Sequence, residues 1–163
     1  MPVARRIVTL REIDADSLTI VGRLAVAPDQ ERLVASNTWS IAQAYFEPAA
    51  WFRGIYAGDD AVGFAMLFDG SRARDSGHHG VCYLWRLMID AAHQRHGYGS
   101  QAMALLIAHV RTLPDTHTFG LSFQPVPGNA RDFYARFGFR ETGRVEDGEI
   151  EMAMTVVPGA GGS

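Results

Sequence analysis

The sequence predicts an α/β (α+β) fold, a mixed central sheet with helices on both faces. Three observations carry this. A nearly continuous apolar run, Val81 to Ile89, is bounded by Gly80 and Asp90 and reads as a central strand buried on both faces. An amphipathic pattern follows in Gly97 to Arg111, where Met103, Leu106, Ile107 and Val110 fall at i, i+3, i+4 and i+7. Paired apolar runs at both ends of the chain carry the turn residues of hairpins.

Taken in order, Ile7, Val8 and Leu10 predict a first strand. Asp16 to Leu24 predicts a short helix capped by Asp16 or Ser17, and Thr38 to Phe46 a second helix. Trp51 to Ala57 and Ala61 to Phe68 flank Gly58, Asp59 and Asp60 as a β-hairpin. Asp69 to Gly80, with Gly70, Gly77, His78, His79 and Gly80, reads as a mobile loop. Thr118 to Phe123 is a further strand, and Ala130 to Phe137 a short helix stopped by Gly138. Phe139 to Val145 and Glu149 to Val157 form a closing hairpin turning near Asp147 and Gly148, with Ile150, Met152, Met154 and Val156 alternating as a half-buried strand requires. No linker or repeat divides the chain. The reading is one domain over residues 1–157 and a Gly-rich flexible tail over 158–163.

Composition narrows the function classes. The chain has 163 residues, 47% hydrophobic and 20% charged, which suits a globular domain rather than disorder. No run of eighteen apolar residues occurs, so no membrane span is expected, and the first residues do not read as a secretory signal. One cysteine, Cys82, builds no disulfide framework and reads as a core thiol; a cytoplasmic setting is the default. The net charge of -3 argues against a nucleic-acid partner. His78 and His79 are adjacent, so they do not converge as metal ligands do, and no metal is expected.

The chemistry concentrates in Gln94-Arg95-His96-Gly97-Tyr98-Gly99-Ser100, between the apolar strand and the long helix. The first N–H groups of a helix lack internal partners, and its dipole adds positive potential. Glycines let backbone touch a phosphate directly, so a polyphosphate is the natural ligand. A glycine-rich turn with no ligand is the plainer alternative. Gly97, Gly99 and Ala102 also fit a G-x-G-x-x-A dinucleotide fingerprint, but the strand stops at Ile89, eight residues before Gly97. Nicotinamide or flavin therefore ranks low.

Ile89 to Gly99 resembles the acetyl-CoA motif of the GNAT superfamily, a β-branched strand end followed by Gln/Arg-x-x-Gly-x-Gly/Ala, filled here by Gln94, Gly97 and Gly99. Phe133-Tyr134-Ala135-Arg136-Phe137-Gly138-Phe139 resembles the second family motif, a tyrosine ahead of a Gly-Phe pair. Within the superfamily, Trp85 to Asp90 and Glu146 to Glu149 most resemble bacterial spermine/spermidine (diamine) acetyltransferases. One departure is that the usual motif asparagine falls on Pro127, with Asn129 two residues on, so that contact is either missing or supplied by Asn129.

The resemblance implies a mostly antiparallel sheet of about six to seven strands, acetyl-CoA as co-substrate, a small amine acceptor such as spermidine, and a homodimer. It implies direct attack of the amine on the thioester. Backbone N–H groups near Met88 and Ile89 would polarise the carbonyl, and Tyr134 would protonate the leaving thiolate. An alkyl ammonium of pKa about 10.4 is roughly 0.1% neutral near pH 7.4, a penalty of about 4 kcal/mol. A carboxylate could take that proton, and Glu47, Glu149 and Glu151 are the acids considered, each otherwise a solvated surface group. Arg86, the odd charge in the apolar strand, is expected to have a carboxylate partner, or else to shape the acceptor site. Trp39, Trp51 and Trp85 read as packing residues, with Trp51 also a possible wall of the acceptor pocket. Acetylation of a protein N-terminus or lysine, of an aminoglycoside, or non-catalytic acyl-CoA sensing are the alternatives.

Overall fold

A computed structural model describes residues 6–33 and 35–158. The expected tail beyond Pro158 and the first five residues lie outside the described residues. The strands are β1 (Val8–Arg11), β2 (Ala50–Ala57), β3 (Asp60–Asp69), β4 (Val81–Ile89), β5 (Thr118–Phe123), β6 (Arg140–Glu146) and β7 (Glu149–Thr155). The helices are α1 (Ala15–Arg23), α2 (Asn37–Phe46), α3 (Tyr98–Val110) and α4 (Arg131–Ala135). All seven strands form one sheet in the order β1-β2-β3-β4-β5-β7-β6, antiparallel throughout except for the β4–β5 pair.

Local chemistry sets the element ends. The cap of α1 is Asp14 rather than Asp16 or Ser17. Its carboxylate accepts the Ser17 N–H at 2.8 Å while the Ser17 hydroxyl accepts the Asp14 N–H at 2.9 Å. Ser36 caps α2 in the simpler way, accepting from Trp39 N. The segment read as a loop between β3 and β4 is more built than that. Asp69 and Asp75 each cap a short 3₁₀ turn, Gly70–Arg72 and Ser76–His78.

The sheet separates two apolar clusters. α3 packs on one face through Met103, Leu106, Ile107 and Val110 against Ile55, Ala65, Leu67, Phe119 and Met152. α1 and α2 cover the other face, where Val21, Tyr56, Phe64, Met66 and Met88 are buried.

Strand β4 departs from the both-faces-buried reading, since most of it is only half-buried. Its alternation is also broken. The β3 register runs Met66↔Arg86 and then Leu67↔Leu84, so Trp85 is an extra residue in a bulge. Leu84, Leu87 and Ile89 pack on the α3 face, whereas Trp85 and Met88 join the α1/α2 cluster and Arg86 reaches α2. The bulge thus turns two consecutive side chains, Trp85 and Arg86, to the same face.

Beside this strand Gly63 leaves no room for a side chain. A Cβ there would stand 2.3 Å from the Met88 carbonyl oxygen, and backbone cannot retreat as a side chain can. Gly63→Ala should therefore lower stability by about 1–3 kcal/mol in urea denaturation. Gly99→Ala, whose Cβ would meet nothing nearer than 3.8 Å, should cause no such loss. A Gly63→Ala protein as stable as its parent would show that β4 is not held at this distance.

Candidate active site

β4 and β5 pair only over Val81↔Thr118, Cys82↔Phe119 and Tyr83↔Gly120. Beyond Tyr83 the two parallel strands part, while β5 goes on pairing with β7 as far as Phe123↔Ile150. Leu84 to Ile89 therefore present one backbone edge that no strand takes up. A cleft of about 720 Å³ occupies the opening, a volume within the range of ligand sites.

Because the cleft opens between strands, it can be approached from both faces of the sheet. The α3 side carries Ile89, Gln94, Asn129, Ala130 and Tyr134. The other side carries Tyr83, Trp85 and Arg86 from β4, Ser122 from β5, and Glu149 and Glu151 from β7. On β7 Ile150, Met152 and Met154 point into the α3-side core, so the intervening glutamates point the opposite way. Glu146 and Asp147 complete the wall at the turn between β6 and β7.

The helix start behind the cleft is built for backbone exposure. Gln94 donates from Nε2 to the Ile89 carbonyl at 3.0 Å, closing the loop onto the end of β4. Arg95 at φ 68° and Gly97 at φ 78° turn the chain into α3 through left-handed backbone. No side chain caps α3, so the first-turn N–H groups of Tyr98, Gly99 and Ser100 stay open. Asp90 anchors the other side of the loop, its carboxylate accepting the N–H groups of Ala25 at 3.0 Å and Ala92 at 3.3 Å. The Tyr98 ring is in the α3-side core and only 7% exposed, so that residue can offer little beyond its backbone.

Tyr134 stands in the one-turn helix α4, half-buried, its ring edge-on to Phe133 and Phe139. Burial pushes its phenol above the ordinary tyrosine pKa. Arg86 donates to the Trp85 carbonyl at 2.9 Å and to Gln43 Oε1 of α2 at 3.2 Å. The expected carboxylate partner is absent: among the described residues none lies within ion-pairing distance of Arg86, and its Nε is buried without a partner. Burial pulls its pKa down and Glu149 opposes that. Glu149 accepts from the Ser122 hydroxyl at 3.1 Å, and Glu151 from Thr142 at 2.8 Å.

The cleft brings together Arg86, Met88, Ile89, Gln94, Asn129, Tyr134, Glu149 and Glu151 of the residues singled out from sequence. Arg95, His96, Gly97, Tyr98, Gly99 and Ser100 form the adjoining loop and helix start. Asn129 spends its amide locally, donating to Val126 O and accepting from Arg131 N. Two residues fall elsewhere. Glu47 ends α2 and accepts the Ala49 N–H at 3.0 Å, which ties it to that turn. Trp51 lies on the α3 face of β2, stacked on His109 at 4.1 Å with Arg53 over its other side at 4.3 Å. Sequence reasoning missed Tyr83, Ser122 and Glu146. Only the strand alternation around Glu149 and Glu151 could have pointed to Ser122, their neighbour on β5.

Residues 7–139 match the model of the acetyltransferase (GNAT) family. The chain belongs to the GNAT acetyltransferase family. This acetyltransferase is 27% identical over 150 residues to the spermine/spermidine N(1)-acetyltransferase of Bacillus subtilis, covering 89% of this chain and 96% of that one. Its fold is similar to that of a spermidine N-acetyltransferase from Vibrio cholerae solved with CoA and spermine, at a TM-score of 0.69 and 15% identity over 91% of this chain and 95% of that one. It is equally close to an aminoglycoside acetyltransferase in complex with coenzyme A, at a TM-score of 0.72 and 17% identity over 91% and 94%. Among the described residues of the acetyltransferase no helix is long and apolar enough to cross a membrane, and no group of three or more His, Cys, Asp or Glu could hold a metal.

Proposed function

We propose that this GNAT acetyltransferase takes acetyl-CoA as its donor and a small polyamine, spermidine first, as its acceptor. The observation that carries the acceptor class is the carboxylate wall on the α1/α2 side of the cleft. Glu146, Asp147, Glu149 and Glu151 line it against a single guanidinium, Arg86. A charge-assisted contact to a distal ammonium is worth about 1.5–3 kcal/mol, roughly ten- to a hundred-fold in selectivity over a neutral chain. The Bacillus relative, named for spermine and spermidine, supports the same class.

The residues on the α3 side fit the donor. The open N–H groups of Tyr98, Gly99 and Ser100, with the Gln94–Gly97 loop, would hold the diphosphate, and the space above Gly99 is clear. Acetyl-CoA would supply the thioester. The backbone edge of β4 near Met88 and Ile89, which β5 leaves unpaired, would hold the pantetheine arm and polarise the carbonyl. The Tyr134 hydroxyl would protonate the departing sulfur. Burial keeps that hydroxyl neutral, so it holds its proton at pH values where an exposed phenol begins to lose it. Glu149, which accepts the Ser122 hydroxyl, would receive a proton from the amine. An acyl-cysteine route has no support, because Cys82 is fully buried in β4 and its thiol is pushed up to about 12. A homodimer belongs to this reading through the resemblance alone, and a single domain and a cytoplasmic setting through length, composition and cysteine usage.

Tyr134→Phe keeps the ring and removes the donor. Its turnover number should fall about 10²- to 10⁴-fold while acetyl-CoA affinity by calorimetry stays near the parent's. In the parent, the alkaline limb of kcat should begin above the ordinary tyrosine value of about 10, because the raised pKa favours the neutral acid. An unchanged kcat in the Phe protein, with chemistry rate-limiting, would remove Tyr134 from the role.

Competition kinetics test the acceptor, with spermidine, a simple monoamine and an aminoglycoside at equal concentration. The specificity constant should be highest for spermidine. A higher value for the monoamine would refute the polyamine reading, and a higher value for the aminoglycoside would make the enzyme a modifier of linked aminosugars.

A further inference from the structure

We infer that Arg86 sorts the nitrogens of the acceptor: its fixed positive charge excludes an ammonium from the splayed edge of β4 and so favours the neutral amine there. The inference rests on the acetyl-transfer reading of this cleft. It starts from an anomaly. A guanidinium is one of the costliest groups to bury without a partner, and such arginines ordinarily face a carboxylate. Arg86 instead is half-buried, donates to two neutral oxygens, and keeps its Nε unpaired. Four carboxylates line the same cleft, yet none ion-pairs with it among the described residues. No contact ion pair therefore neutralises the positive charge, and Glu149 acts on it only through space.

Position gives that charge an effect. Arg86 lies between Tyr83, where pairing with β5 ends, and Ile89, where β4 ends. The β4 bulge turns it to the acceptor face beside Trp85, and Gln43 of α2 holds the guanidinium there. The groups that can act on it are Glu149 and Glu151 from β7, Glu146 and Asp147 at the hairpin turn, Tyr83 on its own strand, Tyr134 from α4 and His78 from the turn before β4. The carboxylates belong to β7 and its turn, the guanidinium to β4. A polyamine spanning the cleft can place its charged nitrogen among Glu146, Asp147 and Glu151, and its reacting nitrogen beside Arg86 and within reach of Glu149. A like charge nearby disfavours the protonated form of an amine, which is the form that cannot attack. Part of the cost of deprotonation is thus met by a residue that touches no reacting atom. Arg86 is a positioning residue in this account.

The signature is a split between kcat and KM. Removing the charge should let ammonium bind more tightly but in the unreactive state, which lowers both constants together. The experiment compares the parent, Arg86→Gln and Arg86→Lys, with kcat and KM for the best amine of the acceptor panel from about pH 6 to about pH 10. Using the best amine means that a wrong acceptor and a wrong role for Arg86 fail separately. In Arg86→Gln the acid limb of kcat should move up by about one unit, so that kcat falls about tenfold at neutral pH and recovers in alkali. KM should fall by a similar factor, leaving kcat/KM nearly unchanged. Arg86→Lys keeps the charge and should keep the parent's limb and KM. Melting temperature and acetyl-CoA affinity, measured alongside, identify any variant that has lost its fold; Arg86→Met then replaces such a Gln variant as the charge-free protein. A rise in KM with the limb unmoved would make Arg86 an anchor for the acceptor and overturn the inference. So would a Lys variant as impaired as the Gln variant, or a charge-free protein indistinguishable from the parent.

Discussion

The structure depends on the short pairing between β4 and β5. Three residue pairs join these parallel strands, and then the hydrogen-bond ladder stops. An interrupted ladder leaves backbone groups that must be satisfied by something else. Here the interruption lies in the middle of a seven-stranded sheet, where both faces are otherwise covered by helices. The outcome is a passage from one face to the other, with open polar backbone along one wall. Elements around it hold the two strands apart. β5 is kept in place by six pairs with β7, and β4 by its ladder with β3, which tolerates no side chain at Gly63.

The two faces of the passage differ chemically, and this difference supports a reaction between two ligands. On the α3 side the charge is that of a bare helix start, which suits an anion. On the α1/α2 side carboxylates predominate, which suits a cation. Each ligand would thus be drawn to its own side and meet the other at the splayed edge. Burial raises the pKa of the tyrosine on the first side, and the arginine on the second has no ion-pair partner among the described residues. A half-buried guanidinium without a carboxylate costs stability where it stands, which is common where function rather than packing has set the choice.

Much of this was legible in the sequence because it follows periodicity or turn chemistry. Met103 to Val110 marked α3, Gly58 marked the β2–β3 turn, and Gln94 to Gly99 marked the loop behind the cleft. What escaped follows from non-local geometry. The bulge at Trp85 depends on β3 and inverts the faces of everything after it, so Val81 to Ile89 read as uniformly buried when half of it borders an opening. Glu47 and Glu149 look alike in sequence, yet one closes a turn at the end of α2 and the other reaches the cleft. Trp51 reads from sequence as a packing residue or a wall of the acceptor pocket, and strand alternation decides for packing, on the opposite face against His109. Arg86 was expected to have an acid beside it, and only the packed structure reveals a glutamine there.

The central claim is that the unpaired edge of β4 and the first turn of α3 together hold acetyl-CoA. Amide hydrogen exchange tests it without a mutation. On adding acetyl-CoA, exchange should slow for amides in Leu84–Ile89 and in Tyr98–Ser100, with the outer strand β1 unaffected. Slowing confined to other segments, with these two unchanged at saturating acetyl-CoA, would contradict the account.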